Sequence, residues 1–65
     1  MLQVVRVPGP TGVRFLYLRE GGLSSVRVQD RVRECVVRRL PDTDGRVLVA
    51  VDGREERVAV SDLVE

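Results

Sequence analysis

The sequence predicts an all-β single domain over residues 1–65, a small and strongly bent antiparallel barrel of five or six strands. Three observations predict it. Valine dominates a hydrophobic fraction of 43%, and β-branched side chains pack well on a pleated surface. The apolar runs are short and are separated by Gly, Pro and Asp turn signals, the pattern of a meander or small barrel. Val47, Val49 and Val51 alternate strictly, as do Val58 and Val60, which places each set on one face of a strand. A chain this short buries only about 60% of the surface it exposes when unfolded, so its core is economical or is completed by a partner. Phe15 and Tyr17 are the only aromatic residues. The core is therefore expected to be aliphatic.

Each element follows in order. Leu2–Val7 reads as a strand, ended by Pro8-Gly9-Pro10-Thr11-Gly12, where prolines and glycines favour a tight loop over a continued ladder. Val13–Arg19 returns as its hairpin partner, and Glu20-Gly21-Gly22 breaks it. Val26 and Val28 alternate with polar neighbours and fit a short strand. From Val32 to Leu40 the alternation slips, because Cys35 and Val37 are out of phase with Val32. A bulge or sharp bend produces such a slip, and a helix over residues 31–40 is the competing reading. Pro41-Asp42-Thr43-Asp44-Gly45 is a turn. Arg46–Asp52 and Glu56–Val60 form a hairpin across Asp52-Gly53, two residues that tolerate positive φ. Ser61-Asp62-Leu63 fits a 3₁₀ turn capped by Ser61 or Asp62, and Val64 makes a last edge contact.

The phrases Asp30-Arg31-Val32, Asp52-Gly53 and Val58-Ala59-Val60-Ser61-Asp62-Leu63 resemble the small SH3-like barrels of the Tudor and KOW kind. In those families a Gly-Asp-x-Val phrase opens a strand, and here Gln29 stands where the Gly is usual. An Asp–Gly-type turn makes a hairpin, and a Val-x-Val-x-Asp-Leu phrase closes into a 3₁₀ turn. The resemblance covers about the C-terminal half of the chain and implies a binding module, although fold alone assigns no function. The chain departs from the methyl-ligand readers of that group, because no aromatic residue stands between Asp52 and Gly53. The runner-up architectures are an OB-like barrel and a swapped-hairpin, DNA-binding dimer.

Composition narrows the chemistry. Histidine and lysine are absent, which removes the usual base near neutral pH, the His-dependent triads, Schiff-base chemistry and the P-loop lysine. No enzyme activity and no cofactor are expected. One cysteine, Cys35, permits neither an internal disulfide nor a multi-cysteine zinc site, and its apolar strand suggests a buried structural thiol. Asp42/Asp44 and Glu55/Glu56 read as solvated turn residues. The opening residues lack a signal-peptide pattern and no run is long enough to span a membrane, so a cytoplasmic protein without membrane contact is expected.

Two features point to partners. Arg31, Arg33, Arg38 and Arg39 fall on one expected strand, with Arg54 and Arg57 on the hairpin that pairs beside it. Such a stripe binds phosphates or docks on a protein partner, or else pairs with Glu34, Asp52, Glu55 and Glu56. The first hairpin carries large apolar groups on both faces: Val13, Phe15 and Tyr17 on one, Leu16 and Leu18 on the other. Two rings on one face suit the core, so Leu16 and Leu18 are the expected self-association residues. The chain thus reads as a binding or adaptor module for a protein or nucleic acid, or as a structural homo-oligomer.

Overall fold

A computed structural model describes residues 2–9 and 11–64. All of the regular structure is β apart from one 3₁₀ turn. The strands are β1 (Leu2–Gly9), β2 (Gly12–Arg19), β3 (Leu23–Val28), β4 (Arg31–Arg39), β5 (Arg46–Val51), β6 (Arg54–Ala59) and β7 (Leu63–Val64), with the 3₁₀ turn at Val60–Asp62. They form two antiparallel sheets. One is the β1–β2 hairpin, and the other has the order β6-β5-β4-β3-β7. No ladder joins the two among the described residues.

The five-stranded sheet is built by short turns. Val28 pairs with Arg31 and Val51 with Arg54, so each of these hairpins has a two-residue loop. Gln29 and Asp30 have φ of 48° and 66°, and Asp52 and Gly53 have φ of 52° and 78°. Positive φ at both central positions is the type I′ turn, whose twist matches the strands it joins. Asp52-Gly53 was legible as such a turn, whereas Gln29-Asp30 carries no such signature. β4 is a strand throughout, not a helix. Its register against β5 shifts between Val37 and Arg39, so two β4 residues oppose one of β5 and the strand bends there. The bend lies C-terminal to the phase change read from the sequence. Val32 simply points outward, while Cys35 and Val37 point in.

The Pro41–Gly45 turn is held by Asp42, whose carboxylate accepts hydrogen bonds from the Asp44 and Arg46 backbone N–H groups. The 3₁₀ turn begins one residue before the expected Ser61 and has no side-chain cap. Val64 pairs with Ser25 at the far edge, as expected.

The first hairpin differs most from its sequence reading. The ladder continues through Pro8, opposite Val13, and Gly9, opposite Gly12. Proline lacks an N–H, so it is tolerated in a ladder only where that group would face away from the partner strand. Pro8 satisfies this on the open edge of β1. The faces are also reversed. Leu16 and Leu18 are 3% and 2% exposed and lie in the core, whereas Phe15 and Tyr17 point to solvent. The reason is charge. Arg6 is opposite Phe15, and Arg19 shares the face of Tyr17, so turning the rings inward would bury two guanidiniums. On the other face Leu16 lies opposite Val5, and Arg14 escapes by donating to the Leu63 carbonyl at 2.5 Å.

One core results. Val7, Leu16 and Leu18 of the hairpin pack on Val26, Cys35, Val37, Val47, Val49, Val51 and Leu63, with Val58 and Val60 at the margin. No polar or charged residue is buried among the described residues. The hairpin therefore covers the core side of the five-stranded sheet by packing.

Candidate functional site

The arginine stripe does not form one surface. Residues opposed in an antiparallel ladder share a face. Arg31 is opposite Val28, Arg33 opposite Val26 and Arg54 opposite Val51. These three lie on the core side of the sheet, beyond the end of the core. Arg39 and Arg57 are both opposite Leu48 on the side away from the core. Arg38, at the bulge, pairs with Glu55, which is opposite Ala50 on that same outer side. Three of the six are in ion pairs: Arg33–Asp52 at 3.1 Å, Arg38–Glu55 at 3.1 Å, and Arg57–Asp42. Carboxylates also accompany the arginines in the shallow grooves on each side, with Asp52 and Glu56 beside Arg33 and Arg54, and Asp42 beside Arg39 and Arg57.

Among the described residues, Asp42 is the carboxylate whose titration is clearly displaced. The hydrogen bond from the Arg46 backbone N–H, with those from the Arg57 guanidinium and the Asp44 N–H, holds its carboxyl below the ordinary carboxylate value, outweighing the opposing effect of desolvation. Its ties close a turn and hold β6. Cys35 is buried, and desolvation pushes its thiol up, which suppresses the thiolate that would act as nucleophile.

The outward face of β1–β2 is different in character. On β2 its row is Val13, Phe15, Tyr17 and Arg19. On β1 the opposing row is Pro8, Arg6, Val4 and Leu2. Phe15 is 50% exposed and Tyr17 68%, and Leu2, Val4 and Val13 are each more than half exposed. The face holds two arginines and no carboxylate. Neither Arg6 nor Arg19 is in an ion pair among the described residues. With strands of eight residues, the face covers on the order of 300 Å². The charge of the chain is segregated to match. Through Val28 there are four arginines against one carboxylate, Glu20. Beyond Val28 there are seven arginines against nine carboxylates.

Beside this face, an open groove of about 470 Å³ runs between the free edge of β2 and β3. Leu16, Tyr17, Leu18, Leu23, Ser24 and Glu34 are among its lining residues.

The ring-bearing face was not legible in the sequence, because both faces of β2 are apolar and its two arginines, Arg14 and Arg19, lie on opposite faces. Arg6, opposite Phe15, tips the balance only once the β1–β2 register is known. No helix among the described residues is long and apolar enough to cross a membrane. No cluster of three or more metal-ligating side chains occurs among them. Comparison with family models, with curated proteins and with solved structures finds no match.

Proposed function

We propose that this chain is a non-catalytic binding module that docks through the outward face of its first hairpin. The observation that carries the reading is the exposure of both aromatic rings, Phe15 and Tyr17, on a face that also bears Leu2, Val4 and Val13. Full burial of such a side chain is worth about 1.5–3 kcal/mol, of which these half-exposed groups forgo about half, and contiguous exposed apolar patches mark interaction sites. The lack of His and Lys and the desolvated Cys35 thiol support a role without chemistry. The SH3-like reading of the C-terminal half is supported by the β4-to-β6 meander, the 3₁₀ turn that follows it and the return of β7 to β3. On that reading the hairpin is an added element covering the open side of the barrel.

The test is capture from a cell extract, with both bound protein and bound nucleic acid measured. The Phe15→Ser/Tyr17→Ser variant is expected to retain less than about a tenth of the wild-type material, as expected when central aromatic anchors are lost. Arg38→Ala/Arg57→Ala is expected to retain it. Equal capture by wild type and the ring variant overturns the reading.

A second reading, homo-oligomerisation at the same hairpin, is favoured by the free edge of β2. Two β2 strands paired antiparallel about Leu16 would set Phe15 against Tyr17 of the second copy and Arg19 against Val13, with no arginines opposed. Exposed strand edges template such pairing. A strictly monomeric mass at high micromolar concentration removes it.

A further inference from the structure

We propose that the outward face of β1–β2 is a stacking platform for single-stranded nucleic acid. The inference rests on the hairpin being the docking face and names its ligand.

Phe15 and Tyr17 sit two residues apart on one face of β2, hence about 7 Å apart along the strand. Both rings are at least half exposed. Rings in such a row stack on successive bases whatever the base, because every base has a π face. The phosphates that accompany those bases find Arg6, opposite Phe15, and Arg19, next along the row from Tyr17. No carboxylate on the face competes for either guanidinium or repels a phosphate. The flanking aliphatic groups Val4 and Val13 widen the dry surface around the rings. A duplex hides its base faces inside the stack, so this platform selects unpaired strands.

Charge favours this occupant over a second copy lying face to face. Two identical faces would each bring two guanidiniums and no acid to the contact. A narrow linear polyanion supplies the negative charge that the face lacks. The segregation of positive charge to residues 1–28 supplies the longer-range attraction.

The experiment titrates the full-length chain with oligothymidylate and oligouridylate of about twelve nucleotides, a length within the site sizes of known single-strand binders. Tyr17 is the only tyrosine and tryptophan is absent, so intrinsic fluorescence reports from the platform itself. Anisotropy of a labelled oligonucleotide gives the affinity of every variant. Binding is expected to quench Tyr17. Phe15→Ser and Tyr17→Ser are each expected to weaken it about 10-fold or more, with an unchanged circular-dichroism spectrum. Arg6→Gln/Arg19→Gln is expected to reduce the salt slope by about 1.4, at roughly 0.7 per single-strand phosphate contact. A duplex of equal length and inorganic polyphosphate are expected to bind at least about 10-fold more weakly.

Absence of binding at about 50 mM salt overturns the proposal. So does binding that ignores the ring substitutions, or polyphosphate binding as tight as the oligonucleotide. A dimer that dissociates on ring substitution without any oligonucleotide affinity also overturns it. If oligonucleotides fail while ring substitution still abolishes protein capture from extract, the ligand is wrong and the docking face stands. If both fail, both readings fall.

Discussion

Phe15 and Leu16 are neighbours in the chain and opposites in energetics. Leu16 is in the core, and truncating it leaves a cavity that the sheets fill only in part. Leu16→Ala is expected to lower the unfolding free energy by about 2–5 kcal/mol. Phe15→Ser removes a ring that is half in water, and its expected cost is no more than about 1 kcal/mol. Urea denaturation of the two variants measures both, and a large loss for Phe15→Ser would show the hairpin facing the other way. Asp42 gives a second prediction. Its folded-state acidity is stronger than its unfolded one, so the unfolded chain binds more protons in the window just below the ordinary carboxylate value. The stabilisation is complete above that value and is lost as pH falls through the lower folded value. Asp42→Asn should flatten the acid limb of stability against pH, and an unchanged limb would show that the carboxylate contributes nothing there. At this scale the sequence disclosed Cys35 and the Val47, Val49 and Val51 set, because alternation marks a strand face. It did not disclose which face of β2 is wet, because both faces are apolar and the deciding charges, Arg6 and Arg19, lie partly on another strand.

Among the elements, the turns separate into those written in residue chemistry and those imposed by pairing. Asp52-Gly53 adopts positive φ with glycine at the second position, where there is no Cβ to object. Gln29-Asp30 makes the same turn with two side chains in the left-handed region, which costs about 1–2 kcal/mol per ordinary residue and less for Asp. Gln29→Asn/Asp30→Gly is therefore expected to raise stability by about 1 kcal/mol. A thermal or urea transition measures it, and destabilisation would show that these side chains hold contacts the turn needs. The β3–β4 hairpin was hard to see in advance because its strands tolerate a poor turn sequence once β5 and β7 flank them. The extension of β1 through Pro8 was hidden for a related reason. A proline forbids a central strand but not an outer one, and position within a sheet is not a local property.

For the whole molecule, the division into two sheets predicts two levels of protection. The amides of β4 and β5 lie inside a continuous ladder. The β1–β2 hairpin is attached through side-chain packing and a short connection. Hydrogen exchange in β1 and β2 is expected to proceed through a lower-energy opening than in β4 and β5. Uniform protection across all strands would mean that the hairpin and the sheet unfold as one unit. The all-β character and the meander of the C-terminal half were legible, since each strand announces itself by alternation. The placement of the hairpin over the sheet was not, because it depends on complementary shapes in two distant segments.

That connection holds a further consequence. Gly21 and Gly22 exchange hydrogen bonds with Val37 at 2.7 and 2.8 Å. Gly21 has φ of 79°, and a Cβ on Gly22 would come within 3.0 Å of the Arg19 carbonyl. The join is a tight clasp that folds the N-terminal arm back onto its own body. Deleting one of the two glycines would leave the connection too short to fold back and would drive that arm across to a neighbour instead. Reciprocal exchange of arms would then yield intertwined pairs that keep the packing of hairpin on sheet, so the length of this connection sets whose sheet the arm covers.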